Sequence, residues 1–290
     1  GAIFSPNGQR VLTASRDESA RLWTTGGEAL ATFPHDSTVY GIQFSRDGRR
    51  ILTASLDGTA KLWQANGGLL ATFAHTGPVY TAHFSRDENK LITASDDSTA
   101  KLWQSDGTLL HTFRHDGEVW SAVFSPDGRK IITAASPFSA ILWSIDGDSL
   151  TQFDHDDRVW RAVFSPDGQQ VLTASFDWSA RRWSLAGDLL ASYPHDYWVW
   201  QAHFSGDASH ILTASEDASA RLWTAAGDTL FTLPHKAGVQ SAVFAPDRLT
   251  IWTASDDSLA IGWRTAQGIH QWLRHAPIFS PRRVNVQQVQ

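Results

Sequence analysis

Cysteine and methionine are both absent from the 290 residues of this chain. Without cysteine, disulfides, thiolate metal sites and cysteine nucleophiles are excluded, although the redox compartment stays open. No apolar run approaches the roughly 20 residues that a membrane-spanning helix needs. We therefore expect a protein with no membrane partner, and we place it in the cytoplasm. The missing initiator methionine favours a piece of a longer protein that carries other domains.

Basic residues are too few for a broad nucleic-acid surface. The 24 Lys and Arg are outnumbered by 30 Asp and Glu, which gives a net charge of −6, whereas surfaces that bind nucleic acid or anionic lipid are normally basic. No glycine-rich phosphate loop, isolated carboxylate pair or metal motif stands out. We therefore predict no enzyme activity, no catalytic residue, no metal, no cofactor and no nucleic-acid partner.

What the sequence does contain is a repeat with a constant spacing of 40 residues. Seven such periods cover 280 of the 290 residues, and threonine, tryptophan and histidine return in phase along them. A Phe-Ser pair returns as well, beginning at Phe4, Phe44, Phe84, Phe124, Phe164 and Phe204, and its seventh copy is Phe244-Ala245. A fixed period of this length indicates a repeat architecture.

Each period contains the pattern of four short strands. In residues 35–74 the apolar, β-branched segments are 39–44, 51–55, 60–63 and 69–73, and Asp57-Gly58 and Asn66-Gly67 between them are typical of tight turns. No long segment has helical periodicity. Seven four-stranded antiparallel sheets are not stable separately and must stack on one another, so the sequence predicts an all-β, seven-bladed β-propeller closed into a ring.

The repeat resembles that of the WD40 family. The run from Ile51 to Trp63, preceded by His35 and by Phe44-Ser-Arg-Asp-Gly48, carries the likeness, which covers residues 1–280. The aspartate that often follows the tryptophan in this family is absent here, since Thr24, Gln64 and their equivalents replace it. The resemblance implies a protein-interaction scaffold or sensor domain whose partner is a protein or a peptide.

The resemblance also implies a buried hydrogen-bond network in each blade, formed by one His, one Thr, one Asp and one Trp, which we call the quartet. The expected quartets are His35, Thr53, Asp57 and Trp63; His75, Thr93, Asp97 and Trp103; His155, Thr173, Asp177 and Trp183; His195, Thr213, Asp217 and Trp223; His235, Thr253, Asp257 and Trp263; and His275 with Thr13, Asp17 and Trp23. These residue types also occur in nucleophilic triads. Their repetition favours a structural role, because an enzyme has no use for equivalent triads in every blade.

Two places depart from the repeat. The blade at 115–154 carries Pro137 where the others carry the quartet aspartate, and because proline accepts no such bond we expect a reshaped turn and a His115 that must find another acceptor. The chain ends form the second place. We expect a single domain over 1–280 and a tail at 281–290 that can run on as an edge strand, with blades near 1–34 plus 275–280, 35–74, 75–114, 115–154, 155–194, 195–234 and 235–274.

The resemblance places three variable positions of each blade on one face, around the central channel. Aromatic residues concentrate there, at Tyr40, Tyr80, Trp120, Trp160, Phe176, Trp198 and Trp200, with Trp178 directly after its aspartate. Two interpretations remain open. The rings either plug the channel mouth by packing on one another, or they form a recognition surface, which we favour because exposed aromatic clusters bounded by charge are typical interaction sites.

Two further alternatives stay open at this point. Stacking aromatic rings beside acids can also bind a small ligand or a glycan, as in a lectin-like propeller, although such sites should repeat with the blades. The constant spacing is also compatible with an engineered consensus propeller, but the divergence at Pro137 is evidence against that origin.

Overall fold

The computed structural model describes residues 1–245, 250–264 and 280–285, the last six by their backbone alone. Within these ranges every regular element is a β-strand, and the strands form seven four-stranded antiparallel sheets. In each sheet the strands lie side by side in chain order. The chain divides into two compact units, Gly1–Asp154 and His155–Gln290.

The first unit contains four of these sheets, each formed by consecutive strands. The first sheet consists of β1 (Ala2–Phe4), β2 (Arg10–Ala14), β3 (Ser19–Thr24) and β4 (Ala29–Pro34). The second consists of β5 (Val39–Phe44), β6 (Arg50–Ser55), β7 (Thr59–Gln64) and β8 (Leu69–Ala74). The third consists of β9 (Val79–Phe84), β10 (Lys90–Ser95), β11 (Thr99–Gln104) and β12 (Leu109–Arg114), and the fourth of β13 (Val119–Phe124), β14 (Lys130–Ala135), β15 (Ser139–Ser144) and β16 (Ser149–Asp154).

The second unit contains the remaining three sheets. The fifth consists of β17 (Val159–Phe164), β18 (Gln170–Ser175), β19 (Ser179–Ser184) and β20 (Leu189–Pro194). The sixth consists of β21 (Val199–Phe204), β22 (His210–Ser215), β23 (Ser219–Thr224) and β24 (Thr229–Pro234). The seventh consists of β25 (Val239–Phe244), β26 (Thr250–Ser255), β27 (Leu259–Arg264) and β28 (Ser280–Asn285).

A tight turn with a hydrogen-bonded aspartate follows the first strand of the second sheet. Between β5 and β6, the carboxylate of Asp47 accepts hydrogen bonds from the Ser45 hydroxyl at 2.7 Å and from the Arg49 backbone N–H at 2.9 Å. Gly48 follows with φ of 68°, in the left-handed region that glycine enters without strain. The Ser-x-Asp-Gly sequence therefore determines the tight turn that reverses the chain between β5 and β6.

The sheets are held together by apolar side chains that neighbouring sheets contribute jointly. In the first unit, Leu52 and Phe73 of the second sheet pack in one buried cluster with Val79, Leu91 and Trp103 of the third. The indole of Trp103 meets the ring of Phe73 edge-on, with centroids 5.6 Å apart. These residues are buried where the two sheets meet, so one sheet alone would expose them to water. Packing between neighbouring sheets therefore contributes much of the stability.

The sequence-based fold class is confirmed: the protein is all-β, with seven four-stranded antiparallel sheets of the β-propeller type. In the second sheet the predicted strands match β5 to β8 to within one residue at each end.

The seventh sheet differs from its predicted boundaries. Its fourth strand is β28, and Ser280, which the sequence assigned to the first blade, pairs with Arg264 of β27 instead. The free edge of β27 pairs with another strand through backbone N–H and C=O groups, and every extended segment has such groups. The repeat alone therefore did not identify the segment that pairs with β27. Of the tail expected at 281–290, residues 281–285 belong to β28. His275 lies outside the described residues.

Candidate interaction site

The quartet of the second sheet is a continuous chain of hydrogen bonds. The Trp63 indole N–H donates to the Thr53 hydroxyl oxygen at 2.9 Å, and that hydroxyl lies 2.7 Å from Nε2 of His35. The other ring nitrogen, Nδ1, lies 2.7 Å from the Asp57 carboxylate. Since the carboxylate can only accept, Nδ1 carries the proton. Burial lowers the pKa of His35, so the imidazole is neutral and Nε2 accepts from the threonine hydroxyl. Each side chain of the quartet therefore has a hydrogen-bond partner.

Four further quartets have the same geometry. The distance from Nε2 of the histidine to the threonine oxygen is 2.7 Å in each, and the distance from Nδ1 to the aspartate ranges from 2.7 to 3.1 Å for His75, His155, His195 and His235. The tryptophan N–H donates to the threonine at 2.7 to 2.9 Å in Trp103, Trp183, Trp223 and Trp263. The structure thus brings together these expected residues blade by blade.

Burial and hydrogen bonding set the protonation states of a quartet. Burial lowers the pKa of His75 to about 4, despite the opposing effect of Asp97. Burial alone would raise the pKa of Asp97, but hydrogen bonds from Thr99, from the Thr76 backbone N–H and from His75 outweigh it and lower that pKa to about 2. The pair is therefore a neutral histidine hydrogen-bonded to a carboxylate at neutral pH, which suits a structural joint.

The fourth sheet lacks this joint, as Pro137 predicted. Trp143 still donates to Thr133 at 2.9 Å, but Nε2 of His115 is buried without a hydrogen-bond partner among the described residues. The turn between β14 and β15 contains a cis Ser136–Pro137 peptide bond, unlike the corresponding turns of the other described sheets. Burial lowers the pKa of His115 to about 4. Pro137 removes the carboxylate that would accept from Nδ1, while the nitrogen left without a partner among the described residues is Nε2, which contacts the threonine hydroxyl in the quartets.

The first sheet keeps part of its expected quartet. Trp23 donates to Thr13 at 2.9 Å, and Asp17 accepts from the Ser19 hydroxyl at 2.7 Å and forms an ion pair with Arg21 at 3.0 Å. The expected partner of these residues, His275, falls outside the described part of the chain.

The predicted aromatic positions divide between the two units. In the first unit, Tyr40 meets Tyr80 edge-on with centroids 5.9 Å apart, and Tyr80 lies against Trp120 at 4.6 Å. The Tyr80 hydroxyl donates to the Asp96 carboxylate at 2.7 Å. Burial, this bond and the Asp96 charge raise the pKa of Tyr80, so the phenol stays protonated. Tyr40 is 49% exposed, whereas the other two rings are half-buried.

The second unit holds a larger aromatic cluster, which contains Trp160, Phe176, Trp178, Tyr197, Trp198 and Trp200. Phe176 lies at its centre: it stacks on Trp160 at 5.6 Å and on Trp198 at 4.8 Å, and it meets Trp200 edge-on at 5.2 Å. Tyr197 continues the cluster from Trp198 at 4.8 Å, and Trp178 stacks on Tyr197 at 6.0 Å. These rings therefore form one continuous surface.

Exposure increases from the centre of the aromatic cluster to its outer end. Trp160, Phe176, Trp198 and Trp200 are half-buried, while Trp178 is 50% exposed and Tyr197 is 40% exposed. Tyr197 was not predicted, because it lies two residues after His195 and outside the three variable positions of the blade. Its aromatic character beside Trp198 was the only signal in the sequence.

The turn that carries Trp178 holds it at a positive φ of 69°. The corresponding position holds Gly58 at 84° in the second sheet, and Glu18, Ser98, Ala218 and Ser258 occupy it elsewhere at 63° to 65°. The aspartate before it fixes this turn: Asp177 accepts from the Ser179 N–H at 3.0 Å and from the Ser179 hydroxyl at 2.6 Å. A bulky side chain in the left-handed region costs on the order of 1 kcal/mol relative to glycine.

Carboxylates border the aromatic cluster on one side. The Trp200 indole N–H donates to Glu216 at 2.8 Å, and the Gln240 amide donates to Glu216 at 3.3 Å and to the exposed Asp256 at 2.9 Å. These bonds fix the edge of Trp200 and leave negative charge next to the rings.

No helix among the described residues is long and apolar enough to cross a membrane. The described residues also include no group of three or more His, Cys, Asp or Glu side chains arranged to hold a metal ion.

Comparison with known proteins identifies the family. The WD40 family model, "WD domain, G-beta repeat", matches residues 1–24, 27–64, 67–104, 107–144, 147–184 and 187–224. A search of curated proteins finds no match. Among solved structures the chain is similar to the computationally designed Ika8 protein, with a TM-score of 0.79 and 20% identity over 88% of this chain and 80% of that one, which is a likeness of fold alone. With most of its length matched to this repeat, the chain belongs to the WD40 family.

Proposed function

We propose that this protein is a non-catalytic module that binds a protein or peptide partner through the aromatic cluster. WD40 propellers generally serve as protein-interaction scaffolds. The observation that carries the proposal here is the exposed pair Trp178 and Tyr197, which extends the half-buried rings into solvent. Contiguous exposed aromatic surface of this kind is typical of interaction hot spots.

The alternative interpretation, a plug that serves stability alone, fits the inner rings better than the outer ones. Trp160 and Trp198 each stack on Phe176, and all three rings lose solvent contact as a result. Trp178 does not, since half of it remains exposed at a backbone position where glycine would be unstrained. A residue that gains little burial from a strained conformation is better explained by what it binds.

The carboxylates indicate the chemistry of the partner. Glu216 places negative charge at the edge of Trp200, and Asp256 is linked to Glu216 through the Gln240 amide. A peptide that presents an arginine or lysine beside an apolar side chain would gain both ion pairing and a cation–π contact there. We therefore expect basic, partly apolar peptides to bind best.

The test is selection from a phage-displayed random peptide library, followed by affinity measurement with synthetic copies of the selected peptides. Trp178→Gly combined with Tyr197→Ser should weaken binding at least tenfold, while the thermal unfolding midpoint stays near that of the wild type because both side chains are exposed. Phe138→Ser is the matched control: Phe138 is 47% exposed at the corresponding turn position of the fourth sheet, and its loss should leave binding unchanged.

Three outcomes would overturn the proposal. In one, the double variant binds the selected peptides as tightly as the wild type. In another, it loses stability while binding is retained, which would assign the cluster to packing. In the third, the library yields no ligand and a glycan array yields one whose binding depends on Trp178, which would favour the lectin-like function instead.

A further inference from the structure

A second surface of the first unit carries a concentration of basic residues. It is formed by the turns between the first and second strands of the second, third and fourth sheets, at the opposite end of these sheets from the tight turns of the quartet aspartates. These turns contain seven cations, Arg46, Arg49, Arg50, Arg86, Lys90, Arg129 and Lys130, against four carboxylates, Asp47, Asp87, Glu88 and Asp127. The corresponding turn of the fifth sheet carries Gln169 and Gln170, and that of the sixth carries Ser209 and His210. The charge is therefore not a property of the repeat.

Two cavities that share Arg46 lie at this end of the sheets, and the larger one is also lined by the corresponding turn of the first sheet. The larger has a volume of about 1060 Å³ and is lined by Arg10, Arg46, Arg49 and Arg50 with a single carboxylate, Asp47. The smaller, of about 430 Å³, adds Arg86 and Lys90 together with two carboxylates, Asp87 and Asp127. We call the two together the basic groove. Its larger part is more than a single ion needs, and it has the size of a site for several residues of an extended chain.

Two of these cations, Arg46 and Arg49, have no ion-pair partner among the described residues. Arg50 forms an ion pair with Glu88 at 2.7 Å, and Asp47 is engaged by the Ser45 hydroxyl and the Arg49 backbone N–H of its own turn. In the described part of the chain, no carboxylate lies within ion-pair distance of the guanidinium groups of Arg46 and Arg49, both exposed. In a protein whose net charge is −6, such a local excess of arginine is available to an anionic partner.

The groove is also partly apolar. Leu22, Leu30 and Leu70 line its larger cavity, and Leu30 and Leu70 are 45% and 46% exposed. Arginine presents a planar fork of N–H donors that matches a carboxylate, and leucine side chains favour apolar contacts. A bare polyanion would use the arginines but would leave these leucines in water.

We propose that the basic groove binds an extended acidic peptide whose carboxylates alternate with apolar side chains, at a site separate from the aromatic cluster. The arginines bind the carboxylates, and the leucines contact the apolar side chains. The two surfaces have opposite charge preference and lie in different units, so one propeller can hold two different segments. This inference does not depend on the function proposed for the aromatic cluster.

The test uses a fluorescein-labelled nonapeptide, acetyl-Glu-Leu-Glu-Leu-Glu-Leu-Glu-Leu-Glu, with fluorescence anisotropy as the readout. Arg46→Glu combined with Arg49→Glu should weaken its binding at least tenfold. Gln169→Glu combined with Gln170→Glu adds acidic residues at the corresponding turn of the fifth sheet and is the control, with an expected change below twofold. A peptide with serine in place of each leucine should also bind at least tenfold more weakly, and raised salt should weaken binding further.

Several results would overturn the inference. Binding that survives the double arginine substitution, or that falls equally in the glutamine control, would show that the groove is not the site. Equal affinity for the serine peptide, or for a labelled oligothymidylate, would show a general polyanion surface instead of a peptide groove. Trp178→Gly with Tyr197→Ser should not alter binding of the acidic nonapeptide, which separates this site from the aromatic cluster.

Discussion

Hydrogen-bond partners offset the cost of burying the nitrogens of an imidazole. The buried side chains of His75 and His115 differ in the partners that they have. His75 lies between Thr93 and Asp97, whereas Nε2 of His115 has no partner among the described residues. Removing one member of a buried hydrogen-bonded pair costs about 1–3 kcal/mol per group left unpaired. The same substitution should therefore have different effects in these two blades.

We expect His75→Leu to lower the free energy of unfolding by about 2 kcal/mol or more, because it leaves Thr93 without the imidazole and removes one donor from Asp97. His115→Leu should change it by less than about 1 kcal/mol, since no hydrogen bond is lost and an unpaired polar group leaves the interior. Urea denaturation followed by tryptophan fluorescence measures both. Equal losses in the two variants would contradict the structural role assigned to the quartet.

The residues that sequence analysis identified are those that the repeat defines. His35, Thr53, Asp57 and Trp63 return in register, so one blade specifies the positions in the others. Tyr197 lies outside that register and was missed, although it connects Trp178 to the other rings. A periodic pattern predicts the shared network, but it does not predict which non-repeating neighbour completes a surface.

Among the strands, the sequence was least informative about the last one, β28, near the C-terminus. Turn residues bound most strands, and in the second sheet the strand boundaries were predicted to within one residue. The position of β28 was not predicted. It pairs along the whole of β27, from Leu259 opposite Asn285 to Arg264 opposite Ser280. Backbone pairing of this kind has little dependence on side chains, so the 40-residue period gave no signal for it.

Deletion of residues 280–290 should therefore expose one edge of β27 and destabilise the seventh sheet. Those backbone amides of β27 that donate to β28 should lose protection in hydrogen exchange, whereas the fifth sheet, which the sixth separates from the seventh, should keep its protection, because in repeat proteins interactions are mainly between neighbours. Deletion of 286–290 alone retains β28 and is the matched control. Unchanged protection in β27 after the longer deletion would contradict the observed strand pairing.

At the scale of the whole molecule, the repeated His–Asp pairs couple folding to pH. The pKa of His75 falls from an ordinary value of 6.5 to about 4 on folding, as does that of His115, and burial also lowers the pKa values of His35 and His195. Between pH 6.5 and 4 the unfolded chain therefore binds more protons than the folded one. Its free energy of unfolding consequently rises with pH in this window.

We expect the free energy of unfolding to decrease progressively as the pH is lowered from about 6.5 to about 4. A further decrease should follow between about pH 4 and 2, as the carboxylates of Asp57 and Asp97, whose pKa values are about 2, take up protons more easily in the unfolded chain. Urea titrations at pH 7.5, 5.5 and 4 measure the first change. His75→Leu with His115→Leu should reduce the slope between pH 6.5 and 4, and a flat wild-type profile would contradict the assignment of neutral buried histidines.

The left-handed turn after each quartet aspartate has a consequence for protein engineering. Its geometry is held by the aspartate and the residue two positions further on, as with Asp177 and Ser179, while the residue between them varies from Gly58 to Glu18 and Trp178 without a change in the sign of φ. That position therefore tolerates different side chains without a change in the turn. New side chains, fluorescent labels or unnatural amino acids installed there should alter specificity one blade at a time while the scaffold stays the same.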